Sequence, residues 1–124
     1  MIPSNAMYLF MAASDLDNWK TQIRKGYLEL CLLLVIQSEK RIYGFDLLEK
    51  LNNRGLSVKE GTLYPMLNRM LVDKILSATW ETENVKGHPR KFYSLTKEGV
   101  RLLDHMKSEF KNMLTIYQDL GKES

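Results

Sequence analysis

A mainly α fold with a small β-hairpin, of the α+β class, is what this sequence predicts, and three changes of periodicity predict it. Apolar residues recur at helical spacing over residues 16–37, 43–55 and 57–72. The period then drops to two residues over 75–83 and again over 90–95, with turn formers between. From Thr96 the helical period returns and runs to about residue 120.

At 124 residues the chain has room for one core and not for two. Its 44% apolar and 27% charged composition is that of a soluble globular protein, so no fibrous or disordered class is expected. A net charge of +3 is too small to name a polyanionic partner, and the placement of the charges must decide. The single cysteine, Cys31, excludes an internal disulfide and fits a reducing compartment. It lies within LELCLLLVI, where a buried inert thiol is the reading over a nucleophile. The longest apolar run, residues 30–36, is too short to span a bilayer, and no signal-peptide pattern leads the chain. A cytoplasmic location with no membrane partner is therefore expected. Residues 1–13 read as a disordered or loosely ordered segment, with Ser4-Asn5-Ala6-Met7 resembling a tag scar.

Ser14 with Asp17 forms a capping-box pattern that opens the first long helix. Leu16, Trp19, Ile23, Tyr27 and Cys31 make its first half amphipathic, whereas residues 28–36 are apolar nearly all round. Such a segment needs cover on both sides, more than a chain of this size supplies, so a partner subunit is expected against Leu28 and Leu32. After the polar turn at residues 38–41, the second helix turns Phe45, Leu48 and Leu51 inward and stops at residues 53–55. Ser57 with Glu60 is a second capping box, and Leu63, Leu67, Met70 and Leu71 give the third helix one apolar face. Pro65 removes a backbone donor there and predicts a bend. The opposite face carries Gly61, Pro65, Asn68 and Arg69, flanked by Thr62 and Tyr64, with Lys59 at its start. It holds donors for phosphate and base edges and no acid. An amphipathic surface helix without function has the same spacing, so the segment that follows has to separate the two readings.

That segment alternates. Leu76, Ala78 and Trp80 oppose Ser77, Thr79 and Glu81, and Tyr93 and Leu95 oppose Phe92 and Ser94. Lys86, His88, Arg90 and Lys91 gather at the hairpin tip with no acid among them, as phosphate contacts would. A solvated hairpin protected from aggregation by its lysines is the structural alternative. Helix, tight turn, helix and hairpin in this order form a winged helix-turn-helix arrangement. Thr96 caps the closing helix, along which Leu103, Met106, Phe110, Met113, Tyr117 and Leu120 are spaced 3, 4, 3, 4, 3. Leu102, Leu114 and Ile116 widen that heptad seam. The chain's own core absorbs the first turns, and the rest of the seam expects a second copy. Met106, Phe110 and Met113 bring the adaptable lining that holds a flat apolar ligand. The expected organisation is a winged helix-turn-helix over residues 14–95, a dimerisation helix over 96–120 and a tail over 121–124. His88 and His105 have no metal-ligand spacing, and neither a phosphate loop nor a nucleophile–base motif occurs, so no enzyme, metal or cofactor is expected.

Tyr43-Gly44-Phe45-Asp46-Leu47, Gly61-Thr62-Leu63-Tyr64-Pro65 and Gly87-His88-Pro89-Arg90-Lys91-Phe92-Tyr93 with Leu95-Thr96 stand in one register. In order and spacing they resemble the PadR family of transcriptional regulators, over about residues 23–120. The resemblance implies a winged helix-turn-helix homodimer of the short type with a single C-terminal dimerisation helix. Such a protein binds an operator in double-stranded DNA, represses transcription and is released by a small molecule or by another signal; the Met106, Phe110 and Met113 lining makes a small aromatic molecule the effector expected here. The resemblance makes Tyr43, Thr62, Tyr64, Asn68, His88, Arg90 and Lys91 DNA contacts. Leu71 and Lys74 depart from the acid and glycine usual after the recognition helix: Leu71 implies extra burial, and Lys74 argues against the left-handed stop otherwise expected there. The competing reading is a winged-helix protein-interaction adaptor without specific DNA binding. The lack of apolar anchor residues on the helix face and wing tip argues against it.

Overall fold

The structure, a computed structural model, describes residues 5–81 and 89–122, with side chains from residue 12 onward. Its elements in chain order are α1 (Asn5–Glu39), β1 (Ile42–Tyr43), α2 (Gly44–Asn53), α3 (Glu60–Val72), β2 (Leu76–Glu81), β3 (Arg90–Leu95) and α4 (Lys97–Gly121). The α+β class and the winged helix-turn-helix are those the periodicity predicts.

One core joins every helix to the sheet. Leu32, Leu33 and Ile36 of α1 meet Leu47 and Leu51 of α2, Leu63, Leu67 and Met70 of α3, Leu76, Tyr93 and Leu103. Each large apolar side chain taken fully out of water contributes about 1.5–3 kcal/mol, which sets this cluster as the main source of stability. The sheet runs in the order β1-β3-β2, antiparallel throughout. Ile42 and Tyr93 face the core, as Leu76 does opposite Leu95.

Several expectations are corrected. α1 begins at Asn5, so Ser14 lies inside it and residues 5–13 are helical rather than loosely ordered. The run of Ala, Met and Leu before Ser14 consists of strong helix formers with no breaker, and the helix propagates through it. Phe45 is exposed, and Gly44, Leu47, Leu48 and Leu51 form the inward stripe of α2 instead. That stripe starts at the first helical residue, which rotates Phe45 off it by about one 100° step. Tyr43 belongs to β1, a two-residue strand too short to leave an alternating signal. Pro65 sits within α3 without interrupting it. Ser57 does not cap α3. Its φ is 52°, the N-cap position falls to Lys59, and no side chain bonds there.

The nearly all-apolar half of α1 is covered by the chain itself. Leu28, Leu30, Leu32, Leu33 and Ile36 are buried, and the uncovered stripe is Leu16, Trp19, Ile23 and Tyr27, one half earlier. Leu28, Leu32 and Leu103 are therefore core residues of the single chain and cannot form the surface of an interface.

α2 and α3 end alike. Leu56 N–H bonds to Leu51 O at 3.2 Å and Gly55 N–H to Asn52 O at 2.9 Å, with Gly55 at φ 84°. In α3 the pair is Ile75 N–H to Met70 O at 2.9 Å and Lys74 N–H to Leu71 O at 3.1 Å, with Lys74 at φ 61°. Both are Schellman closures, and the second places a side chain where the backbone favours glycine. Lys74→Gly is expected to raise stability by about 0.5–1 kcal/mol in urea unfolding, because the left-handed penalty disappears while both bonds remain. An unchanged or lower midpoint would show that the lysine side chain itself contributes. Thr96 joins this turn to α4 as predicted. Its hydroxyl accepts from Gly99 N–H at 2.9 Å and lies 2.6 Å from Lys74 O and 3.0 Å from Ile75 O, donating to one of them.

Candidate nucleic-acid interface

Leu63, Met66, Leu67 and Met70 anchor α3 in the core, and that anchoring leaves Gly61, Thr62, Pro65 and Asn68 on the solvent side. Lys59 is exposed at the helix start. Tyr64 is half-buried: its ring lies against Gly44, where an added Cβ would stand 3.2 Å from the ring edge and from the hydroxyl. Gly44 thus makes room for Tyr64, and the Tyr43-Gly44 and Tyr64-Pro65 motifs meet in space. Burial, then the Glu60 carboxylate, then Tyr43 push the Tyr64 hydroxyl above its ordinary range. It remains a protonated donor, and the Tyr93 phenol is raised likewise by burial and then by Tyr64.

Arg69 is already engaged. Its guanidinium meets the Glu29 carboxylate of α1 at 2.8 Å, across the last turn of α3. Sequence reasoning placed this residue on the reading face and had no sight of Glu29, which approaches only in the fold. Between α1 and α3 the same approach opens a cleft of about 290 Å³ lined by Lys25, Glu29, Thr62, Pro65, Met66 and Arg69. Lys25 is a cation beside the open face of α3 that no local pattern reveals.

On the wing, Arg90 lies 5.1 Å over the Tyr43 ring, and Tyr43 and Phe92 sit opposite each other in the register with ring centres 6.0 Å apart. Arg41, a further cation the sequence did not single out, covers Phe92 at 4.1 Å and pairs with Glu81 at 2.9 Å. Lys91 lies 5.6 Å from both the Trp80 and Tyr93 rings. The Trp80 indole is 62% exposed, beyond the end of the core. Each such contact at an exposed site is worth about 0.5–1 kcal/mol, enough to orient the cations without removing them from solvent. Lys86 and His88 lie outside the described residues. The structure thus brings Tyr43, Tyr64 and Arg90 around one aromatic junction, with Lys59, Thr62 and Asn68 along the open face of α3.

The predicted interface and ligand residues divide. Leu28, Leu32 and Leu103 are core, as described above. Met106 and Phe110 are half-buried, and Phe110 stacks on Tyr27 at 6.0 Å and 29°. The Tyr27 hydroxyl is raised, first by its hydrogen bond with Cys31. Ile23, Tyr27, Leu30, Met106, Phe110 and Met113 line a groove of about 520 Å³ between α1 and α4. Beyond it Tyr117 and Leu120 are open to solvent, at 73% and 70% exposure.

The family model for PadR-like transcriptional regulators matches residues 32–105. The chain belongs to that family. A PadR-like transcription factor from Bacteroides fragilis is 38% identical, with 83% of this chain and 98% of that one covered and a TM-score of 0.70. A PadR-like regulator from Bacillus cereus is 35% identical over 80% and 95% of the two chains, TM-score 0.71. A PadR family regulator from Eggerthella lenta is 26% identical over 92% and 99%, TM-score 0.73. No curated protein matches the chain. This PadR-like chain is mostly helical with a three-stranded sheet, and among its described residues no helix is long and apolar enough to cross a membrane.

Proposed function

We propose that this PadR-like chain is a sequence-specific repressor that binds an inverted-repeat operator as a homodimer and is released by a small aromatic effector. The observation that carries the DNA reading is the open face of α3: Thr62, Pro65 and Asn68 stand clear of a helix whose other side is locked in the core. Asn68 is the type of side chain that bonds an adenine edge in two places, and Lys59, Arg90 and Lys91 are cations that meet phosphate. The dimer is supported by the uncovered stripe on α1 and the exposed end of α4, which lie either side of one apolar groove. Two copies of α3 then read half-sites about 34 Å apart. The groove, with Met106, Phe110 and Met113 in its wall, supports the effector reading.

The test is selection of binding sites from genomic fragments, followed by titration at several salt concentrations. Asn68→Ala is expected to relax preference at one position of each half-site, at a cost of about 1–3 kcal/mol against the selected site. Arg90→Ala and Lys91→Ala should each weaken all DNA alike and lower the salt slope by about one per subunit. A protein that selects no site and elutes early from heparin would remove the DNA reading and favour the protein-interaction adaptor. Titration with planar aromatic compounds, in wild type and Phe110→Ala, tests release. Ligands that leave operator affinity unchanged would place the control elsewhere, and a reporter driven from the selected site distinguishes repression from activation.

A further inference from the structure

We infer that Arg24 of α1 is a positioning residue for sequence reading: together with Asn52 it fixes the turn from which α3 departs. The inference rests on the DNA reading above and concerns a residue outside the reading face. A terminal nitrogen of the Arg24 guanidinium donates to Leu56 O and to Ser57 O, each at 2.5 Å. The Asn52 amide nitrogen donates to Leu48 O at 3.0 Å and to Val58 O at 2.9 Å, and its oxygen accepts from Val58 N–H at 2.6 Å. Backbone groups of three consecutive residues, Leu56, Ser57 and Val58, are therefore held by two side chains, one from α1 and one from α2.

That arrangement does what a helix cap does elsewhere. Ser57 adopts φ 52°, a conformation that persists in a side-chain-bearing residue only where its surroundings over-determine it. Lys59 at the N-cap position makes no side-chain bond of its own. No side-chain cap fixes the first turn of α3, and the three residues before its N-cap are held from outside it, by Arg24 and Asn52. Base-edge hydrogen bonds weaken steeply with misplacement and bending, whereas a lysine or arginine reaching for phosphate absorbs a shift in its own flexible stem. Loosening the turn should therefore degrade discrimination before it degrades general affinity.

Arg24 is also a cation beside the turn that leads into α3, so a direct phosphate contact is the alternative to be separated. A guanidinium that neutralises a phosphate contributes about one to the salt slope, whereas one held on two carbonyl oxygens keeps its charge but displaces no counterion from a contacted phosphate and contributes much less. In Arg24→Met, operator affinity is expected to fall about tenfold more than affinity for unrelated duplex, with the salt slope lowered by well under one. Arg24→Lys, which keeps donors for the two carbonyls, should recover part of the loss. Without DNA, hydrogen exchange at Thr62 and Leu63, whose N–H groups bond to Lys59 O, should quicken in Arg24→Met and not in α4. An unchanged ratio of operator to unrelated DNA, or unchanged exchange at those amides, overturns the inference. So does equal loss on both DNAs with a slope lowered by about one, which makes Arg24 a phosphate contact. If wild type prefers no DNA, the DNA reading fails, and the exchange experiment still decides whether Arg24 holds the turn.

Discussion

Gly99→Ala is expected to lower the melting temperature by roughly 10 °C or more, the largest loss from a methyl group added at any of the described glycines. A Cβ at position 99 would stand 2.1 Å from Ile75 O and 3.1 Å from Ile75 C. These are backbone atoms of the turn between α3 and β2, and no side-chain rotation relieves the overlap. The same carbonyl accepts from Thr96 N–H at 3.1 Å, so moving the turn away also breaks the joint that seats α4. Overpacking against fixed backbone with loss of that joint costs roughly 3 kcal/mol or more. Gly61→Ala is the matched control. Position 61 has nothing within 4 Å of an added Cβ, and a helical alanine should there gain about 0.5–1 kcal/mol. Thermal unfolding followed by circular dichroism reads both. A Gly99→Ala protein that melts with wild type would mean that α4 does not sit against this turn.

The double substitution Met113→Glu and Tyr117→Glu is expected to lower operator affinity by two orders of magnitude or more, through loss of the dimer proposed above. Both side chains are exposed in the single chain, at 56% and 73%, so four like-charged groups at a two-fold contact oppose assembly without opening the core. Removing the whole of α4 is the poorer experiment, because it also strips the fully buried Leu103 from the monomer. Sedimentation equilibrium reports the assembly state, and titration of a full site against a half-site separates lost bivalency from damaged reading heads. The double variant should bind the half-site as wild type does. A variant that stays dimeric would move the interface away from this end of α4, and a wild type that binds its full site as a monomer would overturn the dimer.

Alkaline stability follows from the tyrosines. Tyr93 and Tyr64 are raised, chiefly by burial, so the unfolded chain gives up these protons before the folded one. Their contribution is complete below the ordinary tyrosine range near pH 10 and is lost as pH rises through the higher folded values.

What the sequence by itself determined are the features written in short-range periodicity. The inward face of α3 follows from residues three and four apart, and β2 and β3 follow from strict alternation. The Thr96 cap follows from a hydroxyl that can reach an amide only three residues on, so tertiary contacts had little to override. Tertiary structure alone decided the features settled by competition between distant groups. Ser57 with Glu60 has the form of a capping box, yet Arg24 takes the Ser57 carbonyl and Asn52 takes the next residue, so the chain turns left-handed there and the cap is lost. Leu28, Leu32 and Leu103 carry the same apolar signal as Met113 and Tyr117, because hydrophobicity records only that a side chain avoids water. Whether the chain's own helices or a second copy provide that shelter depends on where α1 and α4 cross, which is a property of the packed core and of no local segment.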